Sequence, residues 1–153
     1  DASYFTKSFR LAYNQSPTEY IKKHIDHIRK IIKSPMLDLS EYSNTDLKLA
    51  YGVGNFKVLC EYDENFNHFL LALTNLARAC TEAGLYSEAE QTFLLAFHYG
   101  SQKMTDYTSL ADIYLHLEEP EKISALIRNV EDGSLPHKEA LIQALEQKLM
   151  AYR

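Results

Sequence analysis

Apolar residues recur along most of this chain at spacings of three and four, with charged or polar residues between them. Such spacing predicts amphipathic helices rather than strands. Gly84 and Gly100 each follow directly on a periodic segment, which is typical of a helix C-terminus. Ser34-Pro35 and Gly133 break the pattern elsewhere. The pattern predicts helices over residues 3–14, 18–33, 67–83, 87–99, 104–117, 120–131 and 137–151.

The pattern is weaker between these segments. Residues 35–44 read as a loop or a single turn, after which Asn44 or Thr45 is expected to cap a helix. Gly52 and Gly54 interrupt that helix, so we expect either a kinked helix or two short ones. A strand over 56–62 is the alternative that the pattern leaves open.

Apolar positions in the second half of the chain recur with a fixed period of 34 residues. A period of this size indicates stacked helical hairpins, because each repeat is a supersecondary unit that buries its apolar face against its neighbours. Scaffolds of this kind usually present a surface to a partner. Leu73, Leu76, Ala77, Cys80, Ala89 and Phe93 recur as Tyr107, Leu110, Ala111, Tyr114, Ile123 and Ile127.

Residues 70–103 resemble a tetratricopeptide (TPR) repeat, and residues 104–137 resemble it less closely. The family pattern places a large residue, Leu, a small residue and Tyr on the first helix, then Ala and an aromatic on the second. Cys80 stands in place of the Tyr, and Ile123 stands where Ala is usual, so we expect the second pair of helices to lie further apart. The resemblance implies an all-α fold, a short right-handed α-solenoid of about three helical hairpins.

The strength of the pattern divides the chain into two parts. We expect residues 1–66 to form irregular N-terminal helices, either a degenerate repeat or the end of an upstream domain. Residues 67–153 are expected to form the TPR-like hairpins with a C-terminal capping helix, and the two parts to make one compact unit. The chain begins at Asp1 rather than Met, so we expect it to be a piece of a longer protein.

Residues 3–20 also resemble the second helix-turn-helix of AraC-type regulators. The sequence SYFTKSFR, followed by NQSPTEY, is similar to that family's S-Y-F-S-R-x-F-K and G-x-S-P-x-x-Y, with Asn14 in place of the Gly. The resemblance implies that Thr6, Lys7 and Arg10 face DNA. The family needs two such units, and the helices preceding this one are not in the chain. The alternative function is therefore the C-terminal part of a DNA-binding transcriptional regulator with a TPR-like sensing or dimerisation region.

Charge is distributed unevenly. The net charge of −5 divides into +4 over residues 1–33 and −9 over the rest, so the basic end either meets an anionic partner or is a solvated helix face. No apolar run is long enough to span a bilayer, and we expect no membrane insertion by this fragment. Cys60 and Cys80 predict two reduced thiols and a cytoplasmic location, with tethering through an upstream segment left open.

Residues that could carry chemistry do not converge. His24 and His27 share a helix face without a third metal ligand, and Glu61, Asp63 and Glu64 are expected to form a solvated acidic run. No spacing typical of a nucleophile with its base, and no phosphate-binding loop, occurs in the chain. We therefore predict that the protein is not an enzyme and that it has no metal and no cofactor.

The TPR resemblance implies a groove lined by the other side of each first helix, away from the repeat's packing positions. The Lys and Asn with which the family clamps a carboxylate are replaced by Thr74 and Arg78, which argues against acidic C-terminal tails as ligands. We predict a non-catalytic protein–protein interaction module, or scaffold, that presents this groove to a peptide or helix. Partner identity and oligomeric state stay open, as does a groove that is merely solvated or filled by residues 1–66. The predicted partner-binding residues are Thr74, Arg78, Glu82, Thr108, Asp112 and His116, and Arg78 and Asp112 are expected to orient the partner.

Overall fold

A computed structural model describes residues 17–152, with side chains from residue 19 onward. This part of the chain contains seven helices and no strand, which confirms the all-α class. The predicted helix over 3–14 lies outside the described residues. The helices are α1 (Pro17–Ile31), α2 (Asn44–Tyr51), α3 (Val53–Glu82), α4 (Tyr86–His98), α5 (Met104–His116), α6 (Pro120–Asp132) and α7 (Lys138–Tyr152).

Helix α2 is short and begins with a complete capping box. The Ser43 hydroxyl accepts from the backbone N–H of Asp46, and the Asp46 carboxylate accepts from the N–H of Ser43, both at 3.1 Å. The expectation of Asn44 or Thr45 as the cap is therefore wrong. Of these three residues, only Ser43 is followed by an acidic residue three positions on. The two side chains together satisfy two backbone N–H groups that have no partner within the helix.

Helix α3 is the longest in the structure, with 30 residues and a length of about 45 Å. The expected helix start at residue 67 and the alternative strand over 56–62 are both wrong. Gly54 falls in the first turn of α3, where a glycine interrupts no hydrogen-bonded helix interior, and neither Gly nor Pro follows until Gly84. Helix α3 thus crosses the boundary expected at 66–67, and the division of the chain into two parts stays a prediction.

The four helices from α4 to α7 lie close to their predicted bounds. Helix α4 packs against both α3 and α5, and α7 packs against both α6 and α5. The turn between α3 and α4 is closed by Gly84, with φ of +78°, and by a 2.8 Å hydrogen bond from the Leu85 N–H to the Cys80 carbonyl. This left-handed position is accessible to glycine without strain.

One hydrophobic core joins the C-terminal half of α3 to α7. Ala77 and Ala89 have no exposed surface, which lets α3 and α4 approach closely. The rings of Phe97 and Tyr107 stack with centroids 3.9 Å apart and planes inclined by 6°. The buried positions that the 34-residue period predicted are Leu73, Ala77, Cys80, Ala89, Phe93, Tyr107, Leu110, Ala111, Tyr114, Ile123 and Ile127.

Helix α1 packs along α3, and Ile21 packs against the common core. The segment after α1 is fastened to the N-terminal half of α3. The Leu37 N–H donates to the Tyr62 carbonyl at 3.2 Å, and the Asn65 amide donates to the Pro35 carbonyl at 2.8 Å. Among the described residues, no helix is both long and apolar enough to cross a bilayer.

Candidate partner-binding surface

The six predicted partner-binding residues lie on two helices, α3 and α5, as the sequence pattern predicted. Glu82, Asp112 and His116 are exposed, whereas Arg78 and Thr108 are half-buried and Thr74 is buried. Three of the six side chains are thus exposed to solvent. Their role toward a partner stays a prediction.

Arg78 is the centre of a polar network at the junction of α3 and α5. Its guanidinium donates to the Asp106 carboxylate at 2.8 Å and lies 3.5 Å from Asn75 Oδ1 and from Thr105 Oγ1. Asp106 is fully buried, and its second oxygen accepts from the Ser101 hydroxyl at 2.9 Å. The buried carboxylate therefore has a charge partner and a hydrogen bond on each oxygen.

Sequence reasoning missed Asp106. Position 106 follows Ala72 by one period of 34 residues, and the structure shows Ala72 to be buried, but the apolar pattern read from the sequence did not include position 72. A carboxylate at a core position of the repeat needs a hydrogen-bonded charge partner, because an unpaired buried carboxylate is strongly unfavourable.

Asp112, one period after Arg78, also forms an ion pair with another helix. Its carboxylate accepts a 2.7 Å hydrogen bond from the Lys148 ammonium on α7. Arg78 and Asp112 are 34 residues apart. Arg78 of α3 pairs with α5, and Asp112 of α5 pairs with α7, so each ion pair skips one helix. Both residues expected to orient a partner therefore already have an ionic partner within the chain.

The remaining predicted residues have contacts of their own. The hydroxyls of Thr74 and Thr108 donate to carbonyls three residues back, at 3.1 and 3.2 Å. The His116 ring lies 4.3 Å from the ring of Tyr86. Glu82 faces α1, where burial first and the Glu82 charge second raise the pKa of Tyr20. One end of the predicted groove is thus bordered by α1.

A cleft of about 610 Å³ opens beside the buried side chain of Thr74. The residues that form it come from three separate parts of the chain, and Thr74 alone of the six predicted residues is among them. Sequence reasoning did not find this cleft, because two of its walls are loops that only tertiary packing brings together. The cleft is lined by Asp38, Ser40, Glu41, Phe66, Asn67, His68, Leu70, Leu71, Thr74, Gly100, Ser101, Gln102 and Lys103.

The ionisable side chains outside this cleft do not form a metal centre. Within residues 17–152, no group of three or more His, Cys, Asp or Glu residues is placed to hold a metal ion. Burial lowers the pKa of His24, as does the nearby charge of His27, and Glu82 opposes both. Burial raises the pKa of the Cys80 thiol to about 11, which disfavours a nucleophilic role.

No model of a known protein family matches the sequence, and neither curated proteins nor solved structures give a significant match. The TPR and AraC resemblances therefore stay predictions. Thr6, Lys7 and Arg10, the DNA-facing residues of the second resemblance, lie outside the described part of the chain.

Proposed function

We propose that this protein is a non-catalytic protein-interaction module in which α3 to α7 form a TPR-like stack. The observation that carries the proposal is that Arg78 and Asp112, which are one period apart, each form an ion pair with another helix. Arg78 of α3 bonds to Asp106 of α5, and Asp112 of α5 bonds to Lys148 of α7, so ion pairs connect α3 with α5 and α5 with α7. Repeated contacts of this kind are expected of stacked hairpins, in which each unit contacts only its neighbours.

Such a stack presents a preformed face. Glu82, Asp112 and His116 give this face a mixed polarity suited to a polar peptide or an amphipathic helix. A partner that docks on fixed helices loses less conformational entropy than one that has to order its binding site. A few buried contacts would supply most of the binding free energy. We further propose a cytoplasmic location, because Cys60 and Cys80 are both free thiols.

Selection of random peptides displayed on phage against the full chain tests this proposal. Enriched peptides should bind Asp112→Ala and His116→Ala variants more weakly than the unsubstituted protein. The matched controls are Asp132→Ala on α6 and His98→Ala on α4, which remove exposed side chains of the same two types elsewhere. Failure to enrich any peptide contradicts the proposal, and equal binding to all four variants contradicts the assignment of Asp112 and His116 to the binding surface.

DNA binding is the second candidate. The observation that favours it is the row of exposed cations on α1, formed by Lys22, Lys23, Arg29 and Lys30. If this second candidate function is correct, affinity for duplex DNA should fall steeply as salt concentration rises, because counterions are released on binding. Affinity that is weak and insensitive to salt would rule out this candidate.

A further inference from the structure

The cleft beside Thr74 has an apolar floor between two polar walls of different charge. Phe66, Leu70 and Leu71 of α3 supply the floor, and the Leu71 side chain retains 42% of its exposure. Residues 38–41 form one wall, and residues 100–103 form the other. An apolar floor of three neighbouring side chains between polar walls is typical of a docking surface.

The wall formed by residues 38–41 is acidic. Asp38 and Glu41 are both exposed, and Asp38 uses one carboxylate oxygen to accept from the backbone N–H and the hydroxyl of Ser40, at 3.1 and 2.7 Å. Asp63 and Glu64 line a smaller cleft on the other side of this segment, beside Tyr42. Four carboxylates therefore surround the wall and make its potential negative.

The acidic wall is held in place before any partner binds. Helix α3 fastens its base through the hydrogen bonds of Tyr62 and Asn65 to the segment 35–37, and the Ser43 capping box fixes its far end. The opposite wall carries Lys103 and is anchored by Ser101, which donates to the buried Asp106. Both walls are thus anchored by hydrogen bonds to neighbouring parts of the fold.

We propose that this cleft binds a short basic peptide segment of a partner protein, a partner class within the interaction role proposed above. An apolar side chain of the peptide packs on Leu71, and a Lys or Arg next to it pairs with Asp38 and Glu41. Lys103 on the opposite wall meets a carbonyl or carboxylate of the same segment. The acidic wall repels nucleic acid and anionic lipid, and this leaves a basic peptide as the occupant with complementary charge.

The test uses peptides enriched from the phage library on the full chain, resynthesised with a fluorophore. The enriched sequences should combine Lys or Arg with a bulky apolar residue. Glu41→Lys should slow association about tenfold and flatten its salt dependence, because a rim charge acts mainly on encounter. Leu71→Asp should instead speed dissociation, because the apolar anchor is lost.

Two control variants match these substitutions. Leu95→Asp on α4 alters a leucine of nearly equal exposure, 44%, and Glu131→Lys on α6 makes the same charge change at another exposed site. Both controls should bind the peptide as the unsubstituted protein does. Circular dichroism of all four variants checks that the helices are retained, so that a loss of binding reports on the cleft.

Other outcomes overturn the assignment and separate it from the interaction role. Peptides that respond to Asp112→Ala and His116→Ala but not to Glu41→Lys would support the interaction role and reject this cleft. Tighter peptide binding by a Lys7→Glu, Arg10→Glu variant would identify the chain's own N-terminal segment as the occupant. Self-association that Leu71→Asp abolishes would identify a second copy. Absence of any enriched peptide would reject both proposals.

Discussion

The Arg78 guanidinium donates a 2.8 Å hydrogen bond to the Asp106 carboxylate. The Asp106 side chain is fully buried, whereas the Arg78 side chain keeps 39% of its exposure. The two partners are therefore unequal. Arg78→Ala leaves a buried charge without its cation and should destabilise the fold by about 3 kcal/mol. Asp106→Asn leaves an arginine that can turn to water, and should cost about 1.5 kcal/mol. Urea unfolding measures both.

The double variant provides the control. Arg78→Ala combined with Asp106→Asn should recover part of the loss seen with Arg78→Ala alone, because no buried charge remains. Equal losses in the two single variants would contradict the unequal-partner account. The same reasoning makes Arg78→Ala a poor test of partner binding, since weaker binding would follow from unfolding alone.

Ala89 and Ile123 are equivalent positions of successive hairpins, and neither has exposed surface. Their cores are therefore packed around side chains of different size. Ala89→Ile should destabilise by about 2 kcal/mol through overpacking between α3 and α4. Ile123→Ala should destabilise by about 3 kcal/mol by leaving a cavity under α6. Thermal or urea unfolding that shows either exchange to be neutral would mean that the hairpins are not closely packed there.

Stability should depend on pH through His24. Burial and the nearby charge of His27 lower the pKa of His24 from 6.5, and Glu82 only partly opposes them. The unfolded chain then binds a proton more readily than the folded one, so the contribution of His24 is complete above pH 6.5 and declines as pH falls below it. The difference in urea midpoint between the unsubstituted protein and His24→Gln, followed from pH 7.5 to pH 5 (about the titration range of histidine), reports this decline. An unchanged difference would contradict it.

The two thiols should react at very different rates. Cys80 is buried and burial raises its pKa to about 11, whereas Cys60 is half-buried. Because the thiolate is the reactive form, a disulfide reagent at neutral pH should modify Cys60 first and Cys80 only when the protein unfolds. Cys60→Ser should remove the early reaction. Rapid labelling of Cys80 in that variant would show that α3 and α4 separate readily.

The core between α3 and α7 could be predicted from the sequence because it is encoded locally. Ala77 and Ala111 are small where helices meet, and Phe93 and Ile127 fill the space beside them, each pair separated by one period. Periodicity alone therefore placed these residues inside. Spacing of this kind reports which side of a helix is buried, and that is the property on which helical packing depends.

Features that depend on the rest of the fold could not be predicted in the same way. Gly54 predicted a break in the helix, yet it lies in the first turn of α3. The backbone N–H groups of a first turn have no hydrogen-bond partner within the helix in any case. The cleft was missed because Glu41 and Lys103 are 62 residues apart and no local pattern connects them. Asp106 was missed because its partner Arg78 lies 28 residues away, a separation that no helical or 34-residue spacing connects.

Because α3 is unbroken, its helical phase sets the direction of the acidic wall relative to the apolar floor. Tyr62 and Asn65 hold the wall, and Leu71 lies fewer than three turns further along the same helix. A single residue inserted between Asn65 and Leu71 would rotate one against the other by about 100°. The wall would then face away from its floor, so the number of residues between Asn65 and Leu71 decides whether the cleft forms.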